Sequence, residues 1–128
     1  MKALDTNVLI RFLVQDDVNQ ADKLFSKAEQ NKEVLFVPLL VVLEVIWVLQ
    51  SAYSVTREDI ILAINNLLQM QVLEFESQSV VRNFICCANQ YSYDLSDILI
   101  AQSAVVANCA TALTFDKKAS RFELFTMM

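Results

Sequence analysis

Short apolar runs alternate with helical stretches along the whole chain, and this alternation narrows the fold more than any other feature. Lys2-Ala3-Leu4 reads as a short buried strand ending at Asp5. Val34 to Val37, Val72 to Phe75 and Thr111 to Phe115 read as further strands, and Phe122 to Phe125 offers a fifth. Val8 to Val14 reads as a short helix. Asp17 to Gln30 carries Ala21, Leu24, Phe25 and Ala28 at helical spacing. Pro38 stops the second strand and suits the first turn of a helix over Leu39 to Ala52. Thr56 is an N-cap candidate for a helix to about Met70, Ser77 to Gln90 is another helix, and Asp94 can cap a helix over Leu95 to Ala107. Such alternation implies an α/β protein with three layers, α/β/α, around a mostly parallel sheet of four or five strands. One domain over residues 1–128 suits this length. In such sheets a ligand site lies at the carboxyl ends of strands, where Asp5 and Asp116 both stand.

Composition removes several classes of chemistry. The chain has no glycine and no histidine. A glycine-rich phosphate loop, a dinucleotide fingerprint, histidine-assisted nucleophilic catalysis and histidine-ligated zinc are therefore excluded. Left-handed backbone positions must use other residues, most cheaply asparagine or aspartate, and Asn108 stands where such a position is needed past a helix. Cys86, Cys87 and Cys109 make no C-x-x-C pair and are odd in number, which reads as free thiols, small buried apolar residues, in a reducing cytoplasm. No signal peptide is expected, since Lys2 is followed too soon by Asp5 and Arg11, and no membrane span, since Val34 to Leu49 is interrupted by Pro38 and Glu44. The net charge of −5 opposes nucleic-acid binding by bulk field. Setting aside a few acids grouped on a metal leaves the balance close to neutral.

Carboxylates are the chemical groups that remain. Glu44 interrupts Leu39 to Trp47, a helix apolar nearly all round. A carboxylate buried there costs several kcal/mol unless it is paired or bound to a cation, on the order of the penalty for any buried charge; a face open to solvent is the plainer alternative. Asp5 follows a strand and precedes Thr6-Asn7, a position that also suits a helix cap. Asp97 lies three residues after Asp94 at a helix start, where the helix dipole favours both charges. Asp116 opens Asp116-Lys117-Lys118 and suits a turn. Singly each has an ordinary structural role. Taken together, carboxylate oxygens without imidazole or thiolate select hard cations such as Mg²⁺ or Mn²⁺. Such sites activate water for attack on phosphodiesters. Crowded acids repel one another, so their pKa values should rise in the absence of metal.

Leu4-Asp5-Thr6-Asn7-Val8-Leu9-Ile10 resembles the opening motif of PIN-domain nucleases. Glu44 in its apolar helix, Asp94 to Ala101 with the motif acid on Asp97, and Thr114-Phe115-Asp116-Lys117 match the remaining motifs in order. The resemblance covers essentially the whole chain, and its size is similar to VapC toxins of bacterial VapBC toxin–antitoxin pairs. Asn108-Cys109 departs from the family, which usually has glycine before cysteine, but asparagine tolerates the same left-handed backbone. The resemblance implies a Mg²⁺-dependent endoribonuclease that leaves a 5′-phosphate and a 3′-hydroxyl. It implies that Asp5, Asp97 and Asp116 hold the metal, with Glu44 completing the cluster. Thr6, Asn7 and Thr114 would orient carboxylates. Asp94 would cap its helix or join the site.

Arg11, Lys117, Lys118 and Arg121 lie near motif acids in sequence and are the basic groups available for RNA; the alternative for each is a solvated surface charge. Tyr91 and Tyr93 would stack a base or close a helix against the core. The implied partners are an RNA substrate, a cognate antitoxin and a second copy of the chain. The homodimer is expected from the apolar faces of Leu40, Ile46, Trp47 and Leu49. The competing function is a PIN-like module that binds RNA or protein without nuclease activity. A phosphatase using Asp5 as nucleophile is disfavoured, because its second aspartate would fall on Asn7.

Overall fold

The computed structural model describes residues 1–14 and 18–128. The backbone divides into two compact units, Met1–Gln78 and Ser79–Met128. The first holds strands β1 (Lys2–Ala3), β2 (Leu35–Val37) and β3 (Leu73–Phe75), with helices α1 (Thr6–Val14), α2 (Val18–Gln30), α3 (Leu39–Ser51) and α4 (Arg57–Leu68). Apart from Gln78, the second holds α5 (Gln78–Gln90), α6 (Leu95–Val106), β4 (Ala112–Thr114), a 3-10 turn at Ala119–Arg121, and β5 (Phe125–Met127).

Every strand pairing is parallel, as the alternation requires. The order β1-β2-β3 registers Lys2 with Leu35 and Val37 with Phe75, while β4 pairs β5 with Ala112 opposite Phe125. Parallel neighbours need a crossover, and the helical pairs α1–α2 and α3–α4 supply it in the first unit. The apolar run of β2 is buried at Leu35 and Val37. β1 differs from expectation: Lys2 and Ala3 are exposed, and burial begins at Leu4, whose N–H donates to the Phe36 carbonyl at 2.8 Å.

Cap chemistry sets the helix ends. The Thr56 hydroxyl accepts from the Asp59 N–H at 3.3 Å and starts α4, which ends at Leu68, two residues short of the expected Met70. Pro38 occupies the cap position of α3 but has no side chain able to accept there. The Glu76 carboxylate, just past β3, takes the Leu39 N–H at 2.9 Å instead. An orphan donor of α3 is thereby tied to the neighbouring strand's end. Asp17, the expected start of α2, and the Ala21 side chain lie outside the described residues.

The two cores are apolar apart from Thr6 in the first unit and Gln102 in the second, both at their edge. Val45, Ile46, Leu49, Ile60 and Ile64 are buried in the first unit, and Val81, Phe84, Leu95, Ile98 and Leu99 in the second. Ile46 and Leu49 therefore cannot serve as the dimer surface expected of them; only Leu40 and Trp47 of that set are exposed, at 77% and 61%. Of the thiols, only Cys87 is buried, on the α5 stripe with Val80, Phe84 and Ala88; Cys86 and Cys109 are exposed, contrary to expectation. The last strand also moves. Phe122 and Phe125 are both buried, but the 3-10 turn leads into Phe122, and β5 begins only at Phe125.

Without glycine, left-handed backbone falls on Asn108 as expected (φ 67°), and also on Lys32 (φ 55°) and Ser54 (φ 51°). Each costs about 1–2 kcal/mol for an ordinary side chain and less for asparagine. Asn108 and Cys109 close α6, with their N–H groups donating to the Val105 and Ala104 carbonyls at 3.0 and 2.9 Å.

Candidate functional site

In the first unit, Asp5 sits where β1 gives way to α1. Its Oδ1 accepts the Asn7 N–H at 2.6 Å, so it caps α1 while its carboxylate remains exposed. Thr6 is buried, and its Oγ1 donates to Oε2 of Glu44 at 2.9 Å. Glu44 is thus held by the residue that follows Asp5 in sequence. Thr6 reaches a carboxylate through its hydroxyl, whereas Asn7 reaches one through its backbone N–H.

Glu44 corrects one step of the sequence argument. It is exposed, on the same α3 face as Leu40 and Trp47, while the opposite face carries Val41, Val42, Val45, Ile46 and Leu49 into the core. No desolvation penalty therefore marks it out. Its distinguishing feature is the hydroxyl that holds it.

In the second unit, Asp94 is the N-cap of α6, accepting the Asp97 N–H at 3.1 Å. This places two carboxylates on the first turn of one helix. Burial pushes the Asp97 carboxyl above the usual aspartate range, and the charges of Asp94 and Asp116 push it further. At Asp97 burial, which the expectation of crowded acids did not include, is thus the larger cause and like charge the smaller. Asp116 follows β4 in a tight turn: its Oδ1 accepts the Lys118 N–H at 2.8 Å, and its own N–H donates to Thr114 Oγ1 at 3.0 Å. Thr114 thus holds the backbone of Asp116 rather than its carboxylate.

A pocket of about 260 Å³ opens beside these acids, lined by Ser92, Tyr93, Asp94, Asp97, Lys118, Ala119, Arg121 and Phe122. Lys118 and Arg121 belong to it; Lys117 does not line it, and Arg11 is exposed on α1 in the other unit. The Tyr93 ring stacks on Phe122 with centroids 4.4 Å apart, and its hydroxyl donates to the Arg121 carbonyl at 3.2 Å. Tyr91 lies 5.7 Å from Tyr93, ring to ring. The tyrosines thus close the helix end against Phe122, the plainer of their two expected roles. Sequence reasoning missed Phe122 as a pocket wall, because its apolar neighbours read as a strand.

All the site donors are carboxylate oxygens, the set preferred by hard divalent cations. Among the described residues, no three cysteine, aspartate or glutamate side chains are already grouped to hold an ion. No helix among them is long and apolar enough to cross a membrane.

Residues 2–123 match the PIN domain family, a stretch that contains Asp5, Glu44, Asp97 and Asp116. The chain is also 33% identical over 87 residues to a VapC ribonuclease of Aquifex aeolicus (strain VF5). That match covers 66% of this chain and 64% of the relative, so it spans less than two thirds of the relative's length. Parallel strands joined by helices, an acid capping the first helix after β1, and a family match over nearly the whole chain lead to one assignment: the chain belongs to the PIN domain family.

Proposed function

We propose that the protein is a Mg²⁺- or Mn²⁺-dependent endoribonuclease, the toxin of a type II toxin–antitoxin pair acting in the cytoplasm, with both units forming one nuclease domain. The observation that carries this reading is Asp97, an aspartate held above its usual range by burial and by Asp94 and Asp116, in a chain without histidine. A structural acid gains nothing from such crowding, whereas a cation ligand does. Family membership and the VapC ribonuclease relative support the same activity.

Asp5, Glu44, Asp97 and Asp116 would hold the ion. When bound, it would supply water activation and neutralise charge on the scissile phosphate. The chain's own contribution is orientation. Asn7 and Lys118 N–H groups each take one oxygen, Oδ1, of Asp5 and Asp116, and Thr6 turns Glu44. Holding a carboxylate by one oxygen leaves the other to face the ion. Asp94 is the cap of α6 in this reading, and it raises the charge density around Asp97.

Asp5→Asn should lower cleavage of mixed RNA in Mg²⁺ at least about 100-fold, because the amide keeps the shape and loses the anionic ligand. Cleavage at the wild-type rate would remove Asp5 from the machinery. A folded wild-type protein that cuts no RNA with either metal would favour the PIN-like binding module.

The exposed Leu40 and Trp47 beside Glu44 support a homodimer through this face of α3. Sedimentation at micromolar concentration should show a dimer, and Trp47→Ser should shift it toward monomer; a wild-type monomer overturns this assignment. The antitoxin would cover the same apolar surface and reach the acids with a basic side chain. A short reading frame adjacent to this one would identify it.

A further inference from the structure

The pocket beside Asp97 combines two cations with two stacked aromatic rings, and the acidic cluster alone does not explain that combination. Lys118 and Arg121 line it, and among the described residues neither side chain is engaged in a hydrogen bond or ion pair. Their backbones are committed instead: the Lys118 N–H to Asp116 Oδ1, and the Arg121 carbonyl to the Tyr93 hydroxyl. The 3-10 turn is fixed at both ends, and two long cationic side chains are left at the pocket wall. Across from them stand Asp94 and Asp97, with Tyr93 and Phe122 stacked at 4.4 Å beside them.

We propose that this pocket is a phosphate subsite for the RNA strand, in which Lys118 and Arg121 hold the phosphate next to the one cleaved. The assignment rests on the nuclease reading for the position of the cut, not for the binding itself. A phosphate fits better than a carboxylate partner. It spreads its charge over oxygens that an arginine fork and a lysine point charge can share. The chain's overall charge of −5 makes such local cations necessary for any RNA to approach the acids. Lys117, one residue away and equally charged, does not line the pocket and should not contribute.

The test uses the full chain and a fluorescein-labelled mixed-sequence oligoribonucleotide, followed by anisotropy in chelator over a salt series. Lys118→Gln and Arg121→Gln should each weaken binding about fivefold or more at low salt, and each should reduce the slope of log affinity against log salt by about 0.7, one single-strand phosphate contact. The double variant should lose about twice that slope. Lys117→Gln, the same change of charge, should shift affinity less than twofold. Equal losses in all three variants would mean bulk charge, and no loss at Lys118 or Arg121 would mean no subsite; either overturns the proposal, as does a wild-type protein that binds no RNA. A polyglutamate peptide competing as well as unlabelled RNA would assign the pocket to an acidic protein segment and overturn it too. Cleavage in Mg²⁺ is read separately. Binding that depends on Lys118 and Arg121 without any cleavage upholds the subsite and removes the nuclease reading, while cleavage without that dependence does the reverse.

Discussion

Asp97→Asn is expected to stabilise the metal-free protein at neutral pH while lowering RNA cleavage at least about 100-fold in Mg²⁺. The Asp97 carboxyl is raised by burial first, then by Asp94 and Asp116. A group whose folded pKa is raised above its unfolded value, about 4 for aspartate, favours the fold below that value. The advantage is lost as pH rises through the folded pKa, so at neutral pH the ionised side chain opposes folding. The N-terminus of α6 works the other way, since its dipole favours a negative charge on the first turn. Burial and the charges of Asp94 and Asp116 act against it and raise the Asp97 carboxyl.

Asparagine removes the charge and keeps the backbone N–H that Asp94 accepts. The gain should be about 0.2–0.5 kcal/mol, the size of one like-charge helix pair, or about 1–2 °C in melting temperature. It should be present at pH 7 and vanish near pH 3, where the wild-type carboxyl is also neutral. Mg²⁺ at ten times its dissociation constant should add about 1.4 kcal/mol to the wild type and less to the variant. Melting curves in chelator and in Mg²⁺, at both pH values, check all of this. A variant that melts lower in chelator at neutral pH would show that Asp97 is a stabilising helix charge, and one that cuts RNA normally would remove it from the site.

Thr6→Val should reduce kcat/KM for RNA about 10–100-fold, the usual cost of losing a group that orients a metal-binding carboxylate. Valine has nearly the shape of threonine, so the buried position in α1 stays filled. What disappears is the 2.9 Å hydrogen bond to Glu44. Glu44 is exposed, and water replaces that donor, so stability should change by less than about 1 kcal/mol. Thr6→Ser keeps the hydroxyl and should retain most of the activity. Raising Mg²⁺ should recover part of the loss in Thr6→Val, because the defect lies in how well the carboxylate is presented. Steady-state rates across a Mg²⁺ series measure this, and wild-type rates at every concentration would mean that Glu44 needs no such support.

Much of the frame was legible because its causes are local. β2 is an apolar run stopped by Pro38 and β3 alternates apolar and polar residues, and such patterns locate these strands within a residue. Thr56 and Asp94 were legible as caps because cap chemistry acts within three residues. Asn108 was legible because a chain without glycine has few residues suited to a left-handed position. Lys32 and Ser54 adopt the same backbone without a residue type that announces it. Within each of the two sheets, β1-β2-β3 and β4-β5, the pairing is parallel because short strands separated by a crossover segment pair most readily that way.

The sequence by itself determined the parallel α/β frame and the four acids in motif order, because periodicity, caps and donor chemistry are properties of short segments. Tertiary structure decided what each acid experiences. Glu44 lies in a helix apolar on nearly every face, so no local pattern says which face meets solvent; packing of Val42, Val45 and Ile46 into the core turned it outward, toward the Thr6 hydroxyl. Asp97 and Asp94 are neighbours on a helix turn by sequence, but the charge of Asp116, the partial burial and the cations of the adjoining pocket come from a later strand and turn. Phe122 became a wall of that pocket for the same reason: a ring's partner is chosen by the fold, and Tyr93 lies 4.4 Å away only after α6 and the turn at Ala119–Arg121 have packed. Desolvation and charge repulsion depend on distance in space, which separation along the chain does not fix.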